Sequence, residues 1–391
     1  MKPIQKTNNP AFSSGPCSKF PGWSLAKLNN FKPGRSHRAS SEKAKLKSVI
    51  DQTKELLEIP DDYLVGILPA SDTGAFEAAM WNVLGERPVD VLVWESFSNG
   101  WASDIKNQLK LENINILKAE YGQLPDLAAT NKDHDQVFVF NGTTSGVKLP
   151  NCDWIESDRT GLTLCDATSA VFAMNMDWSK LDITTFSWQK VMGSEAGHGM
   201  IVLSPRAVAR LESYTPAWPL PKIFRLTKGG KIMLDIFSGS TINTPSMLAV
   251  EDALIALDWI RELGDYKGTI ARSEANLNVI KDWVSESSWI EFLAESKETI
   301  SNTSICLKIT ANNYKNLDSD SQKKLAKDIC KLLADEEVAF DIASYKDAPP
   351  GIRIWGGATI ESSDIKILTE WLDWAYNEIS TQYNVTTSQS A

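Results

Sequence analysis

The sequence predicts an α/β protein, with a mostly parallel sheet in a large domain and a smaller α+β domain at the C-terminal end. Three observations predict it. Short apolar runs alternate with helix-length segments from residue 63 to residue 204. Those runs end repeatedly in small or polar residues, which is where ligands sit in such sheets. The chain, at 391 residues, exceeds one ordinary core, and its last third brings short strands flanking a charged helix.

Bulk composition excludes several function classes. Apolar residues at 42% and charged residues at 23% are those of a soluble globular protein. The net charge of −10 argues against a nucleic-acid partner, because phosphate backbones demand clustered Lys and Arg. An anionic ligand must therefore meet a local basic pocket. The five cysteines (Cys17, Cys152, Cys165, Cys306, Cys330) show no CxxC spacing, which fits a reducing compartment and excludes a zinc ribbon. With only His37, His134 and His198, no metal site is expected. The N-terminus has no apolar leader and no stretch nears a membrane span, so the expected location is the cytoplasm, with no membrane partner.

In chain order, Pro10-Ala-Phe-Ser13-Ser14-Gly15-Pro16 reads as an entry loop. A second loop, Lys32 to Arg38, packs basic side chains around a glycine turn. Its Ser36-His37-Arg38 is either a solvated loop or a clamp for an oxyanion, since the arginine fork matches carboxylate or phosphate. Ser40 and Ser41 are expected to cap a helix with Leu46, Val49, Ile50, Leu56 and Leu57 on one face. Tyr63 to Leu68 reads as a strand, followed by the turn Pro69-Ala-Ser71-Asp72-Thr73-Gly74 and a helix beginning near Ala75. Strand, small-residue turn and helix present free N–H groups to a phosphate, although many α/β turns share that geometry and bind nothing.

Val89 to Trp94 is the next strand, with Trp101 on the loop leaving it, either as core filler or stacked on a heteroaromatic ring. Gln136 to Phe140 leads into Asn141-Gly-Thr143-Thr144. Leu162 to Cys165 delivers Asp166 to a strand end, and the run Asp182 to Ser187 ends in Gln189-Lys190. Met200 to Ser204 completes the series. Asn243-Thr244-Pro245 precedes a helix over Met247 to Leu263, and strands are expected at Ser304 to Thr310 and Val338 to Ile342. Arg353 lies in the apolar run Gly351-Ile-Arg-Ile-Trp355. A buried arginine is rarely unpaired, so either a carboxylate neighbour or a bound anion should meet it. The last helix is expected over Ile365 to Ile379.

The chemistry centres on Lys190. A lysine in a turn is ordinarily a solvated side chain with a pKa near 10.4. Apolar walls and a neighbouring cation lower that value enough for attack on a carbonyl. An acid and a lysine on two successive strand ends, Asp166 and Lys190, suit pyridoxal phosphate, which needs a partner for its ring nitrogen and an amine for its aldehyde.

The ordered set Phe12-Ser-Ser-Gly-Pro16, Ser36-His37-Arg38, Asp72-Thr73, Trp101, Thr143, Asp166, Gln189-Lys190, Asn243-Thr244-Pro245 and Gly351-Ile-Arg353 resembles the phosphoserine aminotransferase family. These are fold-type I pyridoxal-phosphate enzymes of the class V branch, and the likeness spans nearly the whole chain. It implies a seven-stranded, mostly parallel sheet in a large cofactor-binding domain at 16–260. A small domain at 261–380, an arm at 1–15 packing with it, and a fraying tail at 381–391 are implied as well. It also implies a homodimer with the site at the subunit interface. Glutamate would be the amino donor and 3-phosphohydroxypyruvate the acceptor, with a phosphohydroxythreonine step of vitamin B6 synthesis implied more weakly.

Carried onto this chain, the resemblance makes Lys190 the imine-forming lysine and proton carrier, and Asp166 the partner of the pyridine nitrogen. Trp101 would stack on the ring and Thr143 would bond its phenolate oxygen. Asp72, Thr73 and Gln189 would hold the cofactor phosphate, with Asn243 and Thr244 reaching over from the partner subunit. Arg353 would clamp the α-carboxylate, and His37 and Arg38 the substrate phosphate. Two positions depart from better-known members, which carry arginine where this chain has Thr73 and a His-Arg pair where it has Tyr345-Lys346-Asp347. Lys228, Lys231 or Lys346 are the candidates to restore that charge. The competing readings are a class V relative acting on an unphosphorylated substrate, such as a serine–glyoxylate type transaminase or a cysteine desulfurase, and a non-catalytic binding protein. A desulfurase needs a reactive thiolate on a mobile loop, which Cys306 in an apolar run and Cys330 on a helix do not offer.

Overall fold

The computed structural model describes residues 1–383 and 385. Its large sheet comprises β1 (Leu64–Pro69), β2 (Val89–Val93), β3 (Ile114–Lys118), β4 (Asp135–Val139), β5 (Thr163–Asp166), β6 (Ile183–Ser187) and β7 (His198–Leu203). The spatial order is β1-β7-β6-β5-β4-β2-β3, with β7 alone running against the other six. Strands β2 and β4 to β7 are buried at every residue, which is why they read as near-continuous apolar runs rather than alternating ones. The edge strand β3 is half-exposed, and its Asn115 and Lys118 disguise it in the sequence.

Helices α1 (Ser40–Leu56), α2 (Ser71–Val83), α3 (Ser96–Asn107), α4 (Pro205–Ser213) and α5 (Met247–Glu262) belong to this sheet. The chain then forms α6 (Asp265–Glu286), β8 (Ile290–Phe292), β9 (Ser304–Ile309), α7 (Ser319–Asp335), β10 (Gly351–Trp355) and α8 (Ser362–Ser380). Strands β8, β9 and β10 make an antiparallel sheet, backed by α6, α7 and α8. Trp289 stacks on Tyr376 at 4.2 Å in that layer. The N-terminal arm crosses to it: Pro10 O accepts from Phe340 N at 2.7 Å and Phe12 O from Trp355 N at 3.0 Å. Of the expected tail, 381–383 form a helical turn and Val385 is buried; residue 384 and residues 386–391 lie outside the described residues.

Four local expectations change. The first cap is Ala39, with no side-chain bond at that position; Ser40 and Ser41 lie inside the first turn of α1. Helix α2 begins at Ser71, four residues early, so Asp72 and Thr73 belong to its first turn. Trp101 is on a helix, not a loop. Glu95 accepts from Ser98 N at 2.6 Å and its own N–H donates to Ser98 Oγ at 3.2 Å, a reciprocal cap that carries α3 straight through Gly100. Val338 to Ile342 is no strand. Glu337 and Asp341 both take left-handed φ (57° and 59°), which breaks the extended run into single bridges.

The turn from β1 into α2 is tight. Ala70 and Ser71 are left-handed (φ 68° and 55°), and a Cβ on Gly74 would lie 2.2 Å from Pro69 O. A Cβ on Gly199 would lie 2.2 Å from Ser71 O, so β7 also approaches this turn through a glycine. Replacing a helix-interior glycine by alanine ordinarily stabilises by about 1 kcal/mol. Gly74→Ala is expected to do the reverse, destabilising by roughly 1–3 kcal/mol because backbone must move. Chemical denaturation of the two proteins gives the sign directly.

Candidate active site

Every parallel strand that the sequence flagged opens its carboxyl end on one side of the large sheet. Ser71, Asp72 and Thr73 follow β1, Trp101 lies on the helix after β2, Thr143 follows β4, Asp166 ends β5, and Gln189 and Lys190 follow β6. The structure brings these together around one pocket of about 120 Å³ in the single chain.

Lys190 is buried, with 7% of its surface exposed. Its Nζ donates to Ser14 O of the N-terminal loop, and Gln189 O accepts from Cys17 N at 2.8 Å, so residues 14–17 cover the lysine loop. Loss of water pulls the ammonium pKa below the usual lysine value; the Cys17 thiol opposes this shift and the Arg353 guanidinium adds to it. That is the environment an amine needs to act as nucleophile and base.

Asp166 is held from two sides. Its Oδ2 accepts from Trp101 Nε1 at 3.1 Å and its Oδ1 from Thr168 N at 3.0 Å. The indole of Trp101 also packs on Phe76 at 4.8 Å, which fixes its plane. Thr143 Oγ1 shares a hydrogen bond with Ser169 Oγ at 2.8 Å, and Thr143 O accepts from Ser304 Oγ at 2.6 Å, tying this loop to β9 of the small sheet. Beneath it, Glu95 Oε2 accepts from Thr144 Oγ1 at 2.7 Å. Burial pushes the Glu95 carboxyl up to about 7.

Arg353 projects from β10. Among the described residues no carboxylate forms a salt bridge with it. Its guanidinium lies 5.6 Å from the Tyr345 ring centroid, and its Nε is buried without a partner. A carboxylate neighbour, one of the two readings of this arginine, is not found among the described residues.

His37, Arg38, Asn243 and Thr244 are not brought to this pocket within one chain. Arg38, Asn243 and Thr244 are exposed, and His37 is half-buried on its loop. Lys228, Lys231 and Lys346 are exposed and also lie outside the pocket lining. Sequence reasoning missed Ser14, Phe97, Asn141 and Thr168 as site-lining or site-covering groups. Ser14, Asn141 and Thr168 stand in the loops that carry the flagged residues, so position was the available signal. Phe97 had none.

The chemistry of this donor set fits pyridoxal phosphate. A desolvated amine and a carboxylate share a pocket, the first turn of α2 points its free N–H groups there, and Gln189 Oε1 and Thr168 Oγ1 are buried without partners.

No family model matches the chain. It is 58% identical to the phosphoserine aminotransferase of Methanosarcina barkeri over 377 residues, covering 96% of this chain and 99% of that one. Among solved structures it superposes on the phosphoserine aminotransferase of Cytophaga hutchinsonii with a TM-score of 0.79 at 21% identity, covering 94% of this chain and 99% of that one. The pyridoxal-phosphate-bound enzyme of Trichomonas vaginalis gives 0.73 at 16% identity, covering 94% and 100%. The fold is that of the pyridoxal-phosphate aminotransferases, and the protein is an enzyme of that class. Within it, the chain belongs to the phosphoserine aminotransferase family.

If Arg353 is an anion clamp, a dicarboxylate such as maleate should stabilise the wild type and leave Arg353→Gln unmoved. At a hundredfold excess over its Kd the gain is about 2.7 kcal/mol, read as a rise in melting temperature.

Proposed function

We propose that this enzyme transfers the amino group of L-glutamate to 3-phosphohydroxypyruvate, giving O-phospho-L-serine and 2-oxoglutarate. One observation carries this reading: 58% identity over almost the full length of both chains to a phosphoserine aminotransferase, in a protein whose pocket joins a desolvated lysine to an aspartate. A phosphohydroxythreonine substrate, one carbon longer, fits the same recognition. The working unit in this reading is a cytoplasmic homodimer, and the exposure of Asn243 and Thr244 within one chain leaves them available to the partner's pocket.

When bound, pyridoxal phosphate supplies the electron sink for the carbanion formed at the substrate's Cα. The chain supplies the rest. Asp166 keeps a negative charge facing the ring nitrogen, its position set by Trp101 and Thr168. Lys190, released from its covalent role, would take the Cα proton on Nζ and deliver it to the cofactor carbon rather than back to Cα, a task that suits an amine whose charge burial disfavours. Thr73, Gln189 and the N–H groups of the first turn of α2 hold the cofactor phosphate. Arg353 holds the α-carboxylate with its two-pronged guanidinium. His37 and Arg38 meet the substrate phosphate. Among the described residues Lys32, Arg35 and Arg38 form no salt bridge, so this basic loop keeps its charge for an anion. Lys228, Lys231 or Lys346 supply the charge missing at Thr73 and Tyr345.

The departures at Thr73 and Tyr345-Lys346 favour testing one other reading, a transaminase for an unphosphorylated substrate. A desulfurase is disfavoured further: burial raises the pKa of all five cysteine thiols, Cys17, Cys152, Cys306 and Cys330 to about 12, so none is a ready thiolate.

Borohydride treatment of the native protein should leave a phosphopyridoxyl mass on the peptide containing Lys190, and Lys190→Ala should lower kcat by about a thousandfold or more. A tag elsewhere would sink the assignment. Spectral titration with phosphoserine should convert the cofactor band at far lower concentration than serine does. Arg38→Ala should raise the KM for the phosphorylated acceptor roughly ten- to a hundredfold, the value of one charge-assisted contact; an unchanged KM removes Arg38 from the phosphate site.

A further inference from the structure

The first turn of α2 does something its resemblance to a phosphate-binding turn does not require. Ala70 and Ser71 are both left-handed, and the helix starts with Asp72 buried in the pocket lining rather than facing solvent. Only 6% of Asp72 is exposed. Its carboxyl faces the Asp166 carboxyl and the hydroxyls of Thr168 and Thr185. Asp72 Oδ1, Thr168 Oγ1 and Thr185 Oγ1 are all buried without a hydrogen-bond partner of good geometry. Both oxygens of Asp166 are already engaged by Trp101 and Thr168 N–H groups, so Asp166 is the acid organised to carry charge.

Two carboxyl groups therefore line one pocket. The titratable groups that face Asp72 are Asp166 and Cys165 on β5 and Lys190 on the loop after β6. Among the described residues neither acid forms a salt bridge, and the Lys190 ammonium gives its hydrogen bond to Ser14 O. Two carboxylates lining one small pocket, with no salt bridge to either among the described residues, repel each other, and joint ionisation is disfavoured. One retained proton relieves that repulsion.

We propose that Asp72 is a second functional acid of this site, a positioning residue that stays protonated, donates its O–H to Asp166, and leaves Asp166 as the single negative charge presented to the pyridine nitrogen. Loss of water, then the charge on Asp166, raises the Asp72 pKa well above the usual carboxylate range, in keeping with that arrangement. The role matters because a doubly charged pair would bind the ring cation too strongly to let its charge vary. Its purpose rests on the aminotransferase reading; the shared proton does not.

The test uses full-length protein stripped of bound small molecules, as wild type and as Asp72→Asn, which keeps shape and a hydrogen-bond donor. At pH 7.5 the infrared difference spectrum should show a protonated-carboxyl C=O band in the wild type that the variant lacks. Glu95, at about 7, contributes to both and cancels. Denaturation over pH 5 to 7 gives a second readout. Native Asp72 keeps a proton that the unfolded chain, with an ordinary carboxyl near 3.9, has lost. Raising the pH therefore favours unfolding, by about tenfold per pH unit relative to the variant, until the folded value is passed.

Loss of the band with a widening stability gap is the expected result. An unchanged spectrum, or a gap that stays constant with pH, overturns the shared proton. Should Asp72→Asn not fold, Asp72→Ser removes the carboxyl and keeps a hydroxyl, and the same criteria apply. If borohydride fails to tag Lys190 while the band is lost, the aminotransferase reading falls and the proton pair stands.

Discussion

What the rest of this structure depends on is the removal of the Lys190 amine from water, which outweighs the nearby Asp166 and Asp72 carboxyl groups. A buried ammonium is costly unless paired, and among the described residues Lys190 makes no salt bridge and gives its hydrogen bond to a backbone carbonyl, Ser14 O. The consequence is a nitrogen biased toward its neutral form, poised to bond carbon or carry a proton. Everything that excludes water from it is therefore part of the chemistry. Strand β6 is buried at all five residues and ends at Ser187, three residues before Lys190, and Trp188 between them is fully buried against His198. The turn Val191 to Gly193 closes behind, with Gly193 left-handed against Ser18 O.

The same segment that caps the lysine also joins the two sheets. Residues 10–18 run from the small sheet, through Phe12 O on Trp355 N, to Ser14 O on Lys190 and Cys17 N on Gln189 O. Arg353 sits two residues before Trp355 on β10. The spacing between Arg353 and Lys190 is thus set by one short loop, hydrogen-bonded at both ends. Ser304 on β9 makes a second tie, with Ser14 Oγ at 3.2 Å and Thr143 O at 2.6 Å. In the proposed reading, a substrate whose carboxylate met Arg353 would be held against Lys190 by backbone, which is stiffer than side-chain positioning alone.

Which parts were legible in the sequence follows from this arrangement. Strand ends announce themselves, because an apolar run that stops at Asp166 or at Gln189-Lys190 must emerge from the core there, and the parallel order puts such stops on one edge. Arg353 was legible as an anomaly with two explanations, and the structure shows no carboxylate paired with it among the described residues. Trp101 was misplaced because Ser, Asn and Gly around it suggest a loop, while the reciprocal cap between Glu95 and Ser98 makes that segment helical. Strand β3 was invisible because an edge strand can be polar on both faces. His37, Arg38, Asn243 and Thr244 were legible only as members of a pattern, since nothing within one chain draws them to the pocket.

The inward turn of Asp72 was the least legible feature, and its cause is local backbone rather than composition. In glycine-rich turns of this kind the left-handed positions are filled without strain. Here Ala70 and Ser71 occupy them, each carrying a Cβ that disfavours the conformation. The only glycines kept are Gly74 and Gly199, where a Cβ would strike backbone oxygen at 2.2 Å. The turn thus retains glycine where atoms collide and dispenses with it where only φ is at stake. That choice leaves room at position 72 for a side chain, and burial beside Asp166 then dictates what the side chain can be. A lysine there would neutralise Asp166, and an apolar residue would leave Thr168 and Thr185 hydroxyls facing nothing. A carboxylic acid that retains its proton gives the Thr168 and Thr185 hydroxyls a polar neighbour and leaves the charge on Asp166.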